Sequence, residues 1–146
     1  VKGWKRGWTG GRVGDGARRI AAPLGVAGGL AAAAGYVAAV DPNRPGRYPA
    51  CPLLRCTGLY CPGCGGLRGL HALTHGDLPG ALGANALAVA AYAAFAVFWC
   101  VWFTRALRGR GGVSLSPRAR HWWGLGAVVT LFTVLRNLPV GTALAP

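Results

Sequence analysis

Three long apolar runs limit what this chain can fold into. Ile20 to Val40 carries no charge, Ala84 to Thr104 has one strongly polar residue, Asn85, and Trp122 to Leu138 is broken by charge only at Arg136. Twenty-one residues such as 20–40 cover a bilayer core of ~30 Å at helical rise. A soluble domain of 146 residues needs more charge than this to keep its surface wetted. The expected fold is an all-α integral membrane protein. It has three transmembrane helices, 20–40, 84–104 and 122–138, with a short helix and a Cys-rich loop between the first and second.

Composition agrees: 53% of residues are apolar and only 13% charged. Sixteen Lys and Arg stand against three Asp and Glu. Such an excess suits nucleic acid or an anionic membrane surface. Here the basic residues crowd the ends of the apolar runs and do not interleave with aromatics, so the reading is lipid headgroups and no nucleic acid. Residues 1–19 (Lys2, Lys5, Arg6, Arg12, Arg18, Arg19) read as a basic cytoplasmic tail without apolar periodicity. Trp4 and Trp8 are either interfacial anchors or incidental. Residues 105–121 form a basic loop. The tail and this loop hold eleven of the basic residues. The positive-inside rule therefore puts the N-terminus in the cytoplasm of a bacterial inner membrane, with segment 41–83 and the C-terminus outside. Arg44, Arg47, Arg55 and Arg68 run against that bias. A rival reading takes Arg18-Arg19, the apolar run and Val37-Ala38-Ala39 as a signal peptide, although the run exceeds the usual h-region. Gly25 to Gly29 supplies a GxxxG, which more simply serves packing within the chain than a homo-oligomer seam.

Segment 41–83 is the headpiece. Three prolines and a glycine keep 41–50 irregular. Four of five cysteines, Cys51, Cys56, Cys61 and Cys64, then fall within fourteen positions. Leu67, Leu70, Ala72 and Leu73 predict a short helix from near Gly65 to near Gly76, and a further helix begins near Asp77 or Pro79. On an oxidising face the four cysteines read first as a disulfide staple, whose pairing sequence cannot choose. The second reading is redox. Cys61-Pro62-Gly63-Cys64 is a CxxC ahead of a helix N-terminus, which favours a thiolate, and Arg68 adds positive field. The third is zinc on Cys61 and Cys64 with Cys51 or Cys56 and with His71 or His75. His71 and His75 share one helix face, and an interfacial face explains them more simply than ligation. Cys100, within the second run, reads as a small apolar filler.

Arg136 is costly in an apolar run unless it snorkels or finds a partner. The simplest expectation is that it reaches the headgroups. The alternatives pair it with Asp77, or have it cap carbonyls in the headpiece, with Asn137 and Asn85 in the same polar patch.

These residues resemble a known family. Cys51-Pro52, then Thr57-Gly58-Leu59-Tyr60-Cys61-Pro62-Gly63-Cys64-Gly65-Gly66-Leu67-Arg68, His75-Gly76-Asp77, Asn85 and Arg136-Asn137 look like DUF2752, small bacterial membrane proteins of unknown function. The positions that match its motif are Cys51, Thr57, Gly58, Cys61, Pro62, Cys64, Gly65, Arg68, His75, Gly76, Asp77, Asn85, Arg136 and Asn137. Cys56 and Gly66 depart from the pattern. The resemblance therefore implies a shared core of Cys61 and Cys64 with Cys51 nearby, rather than four cysteines. It names no reaction and no cofactor. The leading expectation is a non-enzymatic structural or interaction role for a stapled headpiece, with a protein partner or a second copy as its target. Thiol–disulfide exchange and zinc binding are the alternatives.

Overall fold

The computed structural model describes residues 12–110, 118–139 and 141. Five helices follow in order: α1 (Arg12–Ala39), α2 (Pro52–Thr57), α3 (Gly66–Thr74), α4 (Leu78–Leu107) and α5 (Ala119–Arg136). The described residues contain no strand. Trp4, Trp8 and positions 111–117 of the basic loop lie outside the described residues.

α1 begins earlier than the apolar run, at Arg12, inside the segment read as a tail. Extending an existing helix adds one hydrogen bond per residue fixed, so polar residues continue it at little cost. Pro23 lies inside α1, is buried, and its carbonyl accepts a 3.0 Å bond from Trp99 Nε1 of α4. That bond ties the two long helices together away from the headpiece.

α4 is a long helix broken near its start. Asp77 caps it, Oδ1 accepting from the Gly80 N–H at 2.8 Å. At Asn85 the backbone leaves helical geometry, with φ −168° and ψ 94°. Asn85 Oδ1 accepts from the Ala88 N–H at 2.9 Å. Asn85 is thus a second N-cap, starting the apolar stretch Ala86 to Leu107 afresh. That stretch rises ~33 Å, enough to cross a bilayer core.

α3 packs against α4 and α1 through small residues. A side chain at Gly69 would meet the Ala81 carbonyl at 3.2 Å, and one at Gly66 would meet the Tyr92 hydroxyl at 3.4 Å. The Tyr92 hydroxyl donates to the Gly66 carbonyl at 3.2 Å. His71 Nδ1 lies 2.8 Å from the Val37 carbonyl, so α3 also joins the end of α1.

Two helices are long and apolar enough to cross a membrane, over Gly16–Ala39 and Leu78–Leu107. The third run is helical, as α5, but Arg120, His121 and Arg136 reduce its apolarity, and its 18 residues rise only ~27 Å. The expected third span therefore does not meet the same standard. The helices carry their large apolar side chains outward: Leu30, Val97, Val101, Leu125, Val128 and Leu131 are all exposed. The most deeply buried large side chains are polar, with Asn85 at 1% and Arg136 at 2% exposure. An apolar exterior over a polar centre suits a lipid surround, because water would strand that exterior.

Candidate metal centre

The cysteine segment opens with a helix that its sequence did not announce. α2 is six residues long, too short for apolar periodicity to show. Pro52 starts it, where the missing N–H costs nothing, and Gly58 ends it in the left-handed conformation at φ 73°. Thr57 Oγ1 secures that end, donating to the Leu53 carbonyl at 2.7 Å and accepting from the Leu59 N–H at 3.2 Å. Cys51 sits at the N-cap of α2, while Cys56 is exposed. The turn after α2 brings the chain back over Cys51.

The Sγ atoms of Cys51, Cys61 and Cys64 all lie within 4.8 Å of one another. Cys61 and Cys64 sulfurs are 3.2 Å apart, and Cys51 is 3.5 Å from Cys61. A disulfide bond is ~2.05 Å long, so no bridge joins these sulfurs in this structure. Three sulfurs on one zinc-sized ion at ~2.3 Å would stand roughly 3.8 Å apart. The observed spacing is within small rotamer adjustments of that arrangement, and the residues fit a thiophilic ion. Among the described residues these three form the one group of ligating side chains that can share an ion.

Neither histidine joins them. His71 Nδ1 is engaged with Val37, and its Nε2 lies 3.8 Å from Asp41 Oδ1. His75 Nδ1 faces the His71 carbonyl at 2.8 Å. The two rings lie against each other, tilted by 41° with centroids 4.3 Å apart, and with Arg68 and Asp77 they line a cavity of about 420 Å³. The mixed Cys/His set anticipated from spacing is therefore replaced by three cysteines. Cys100 is exposed on the outer surface of α4.

The loop that carries Cys61 and Cys64 is held by three polar side chains from distant parts of the chain. Asn85 Nδ2 donates to the carbonyls of Pro62 at 2.8 Å and Cys64 at 2.9 Å. Arg136 Nη1 donates to the carbonyls of Cys61 and Cys64, each at 3.1 Å. Asn137 Oδ1 accepts from the Tyr60 N–H at 2.8 Å, while its Nδ2 donates to the Tyr60 carbonyl at 2.9 Å. Arg136 does not snorkel to headgroups and does not pair with Asp77. It turns inward, between the rings of Tyr60 and Phe132, 5.5 and 5.1 Å from their centroids. Capping of headpiece carbonyls, one of the alternatives from sequence, is what the structure shows. Buried backbone carbonyls need donors, and the turn's own bonds, from the Cys64 N–H to the Cys61 carbonyl and from the Gly66 N–H to the Gly63 carbonyl, leave those of Pro62 and Cys64 to these side chains.

Gly65, in the left-handed conformation at φ 80°, turns the chain from Cys64 directly into α3. The Cys64 thiol is buried, and burial, followed by the Cys61 thiol beside it, pushes its pKa up to about 11. Cys51 is drawn the other way, down to about 7, first by the Leu54 backbone N–H and then by the Cys61 thiol. The cluster opens onto a cavity of about 620 Å³, lined also by Arg44, Tyr48, Tyr60 and Arg68. A metal on the three sulfurs would thus keep a position free toward that cavity, the arrangement of sites whose fourth ligand exchanges.

No curated protein and no solved structure matches the chain. Residues 51–99 match the family model described as protein of unknown function, DUF2752, which ends before Arg136 and Asn137. The segment from Cys51 to Trp99 is thus similar to the DUF2752 family.

Proposed function

We propose that this is a membrane-anchored metal-binding protein, in which Cys51, Cys61 and Cys64 hold a thiophilic ion at the bilayer surface and the fourth ligand comes from the adjoining cavity. The observation that carries this reading is the convergence of three sulfurs, 3.2 and 3.5 Å apart along the series Cys64, Cys61, Cys51, within a carbonyl-capped loop. Two cysteines would suffice for a staple or a redox pair, whereas a third sulfur at the same point completes a ligand set. The charge pattern supports a place in a bacterial inner membrane, N-terminus inside and headpiece outside. Thiols on an oxidising face tend to pair, and coordination to an ion would keep these three from doing so.

The low pKa of Cys51 favours a second reading, thiol–disulfide exchange. There the Cys51 thiolate attacks a Cys61–Cys64 disulfide at Cys64, forming the Cys51–Cys64 bond as Cys61 leaves as thiolate. The leading sequence reading, a stapled docking headpiece, requires the same thiols to be permanently bridged.

Metal content of the full chain, purified without chelator, separates these. The metal reading expects near-stoichiometric ion, lost in Cys51→Ser and Cys61→Ser and retained in Cys56→Ser. Folded, metal-free protein with a stable Cys61–Cys64 disulfide would overturn it.

A further inference from the structure

Arg136 presents a physical problem that its hydrogen bonds do not solve. Its side chain is buried, at 2% exposure, and its Nε and Nη2 have no hydrogen-bond partner among the described residues. A guanidinium does not shed its proton in a protein, so the charge stays. A buried charge without a counter-charge is strongly destabilising. The chain has only three acidic residues. Asp15 lies near the start of α1; of the two whose side chains are described, Asp41 faces Arg44 and His71, and Asp77 caps α4. Among the described residues no carboxylate pairs with Arg136. The rings of Tyr60 and Phe132 offer the guanidinium quadrupole attraction, a smaller effect than an ion pair.

The anionic groups this position can serve are the thiolates of the loop it grips. Arg136 Nη1 bonds the carbonyls of Cys61 and Cys64, two of the three ligating residues. Resting on the reading of these cysteines as ligands, we propose that Arg136 is the counter-charge of the tris-thiolate site and that the site is matched to a divalent thiophilic cation. Three thiolates, their protons released to solvent, leave one net negative charge around a divalent ion. With a neutral fourth ligand, the one buried guanidinium neutralises it, since Arg44 and Arg68 of the cavity are exposed and screened by solvent. A monovalent ion would leave the assembly negative, and a trivalent one would leave it positive, in surroundings of low dielectric. Arg136 is a positioning residue here, acting on the ion through the ligand loop. It also makes α5 part of the metal centre, though α5 contributes no ligand.

The test uses Cd2+ as probe on the full chain in lipid nanodiscs, reading the thiolate-to-metal charge-transfer band and the Kd. Arg136→Lys keeps the charge, and Arg136→Gln removes it. Asn85→Ala is the neutral control, since it also removes two bonds to the loop carbonyls. The expected result is a loss of about 10–100-fold in Cd2+ affinity for Arg136→Gln, the range for an outer-shell partner of a metal site. Arg136→Lys is expected near wild type, and Asn85→Ala loses less than Arg136→Gln. Equal losses in Arg136→Gln and Asn85→Ala would show a neutral cap and overturn the proposal. Should Arg136→Gln fail to accumulate, Arg136→Lys decides alone: near-wild-type affinity supports the charge role, and a loss as deep as that of Cys61→Ser overturns it. Native mass spectrometry of the isolated protein is expected to find a divalent ion, and a monovalent ion alone would contradict the valence assignment. Wild-type protein that takes up no Cd2+ at all refutes the metal reading itself, an outcome distinct from any of these.

Discussion

Asn85 and Arg136 share one acceptor, the carbonyl oxygen of Cys64, which takes bonds of 2.9 Å from the first and 3.1 Å from the second. Through that atom a break in α4 and the last turn of α5 meet at the third ligand of the cysteine cluster. The relationship has measurable consequences for both stability and thiol chemistry.

Asn85 does two jobs, capping the apolar part of α4 and donating to two loop carbonyls. Asn85→Ala should lose about 2–4 kcal/mol, combining a lost cap with two carbonyls left without that donor. Thermal unfolding in detergent measures the loss. Faster alkylation of Cys64 at a temperature where the protein stays folded would show that the loop has loosened as well.

Asn137 acts on the loop one residue before Cys61, exchanging two bonds with the Tyr60 backbone. Asn137→Ala should cost about 1–3 kcal/mol, since both groups are part-buried. Asn137→Asp, when ionised, keeps the acceptor for the Tyr60 N–H and loses the donor to the Tyr60 carbonyl, so its unfolding temperature should fall below wild type at neutral pH and recover at a pH where the carboxyl is protonated and donates again.

Gly69 lets α3 approach α4 closely. A methyl group there meets the Ala81 carbonyl at 3.2 Å, and backbone cannot swing aside as a side chain can. Gly69→Ala should destabilise by about 1–3 kcal/mol and Gly69→Leu by more. Unfolding temperatures of the two variants check the order. Gly28→Ala, where nothing lies within 4 Å, should have little effect.

In metal-free protein, thiol reactivity should separate Cys51 from Cys64. Alkylation requires the thiolate, so a lowered pKa brings the rise in rate to lower pH. Cys51, drawn to about 7, should react half-maximally near neutral pH and reach its plateau above it, while Cys64, pushed to about 11, should remain slow throughout that range. Site-resolved iodoacetamide labelling across pH is the measurement. Identical profiles for the two would contradict the geometry assigned to them.

Much of the architecture was legible from local sequence. The uncharged run before Val40 and the aromatic-loaded run after Asn85 mark the two long helices, because helix length and apolarity are local properties. Asp77-Leu78-Pro79 marks the start of α4, since a cap followed by proline works over one turn. α2 was not legible, because Pro52 to Thr57 spans less than two turns. The inward turn of Arg136 was not decidable either. Its partners, the carbonyls of Cys61 and Cys64, lie more than seventy positions away, and backbone carbonyls leave no mark in a sequence. The exclusion of His71 from the cluster had the same origin: the Val37 carbonyl that holds its ring is invisible to a spacing argument. Cys56 was separable from the other three only through its departure from the family pattern, and its exposure on α2 agrees with that separation.

The central claim is that Cys51, Cys61 and Cys64 hold a metal ion. Differential alkylation with mass spectrometry in native membranes tests it most directly, with free thiols labelled before and after addition of a strong chelator and reduction carried out only as a final step. The account predicts that these three cysteines are protected at first, become reactive together on chelation alone, and that Cys56 reacts independently of chelator. Cysteines that stay protected through chelation and react only after reduction would contradict the metal centre and return the headpiece to a disulfide-bonded structure.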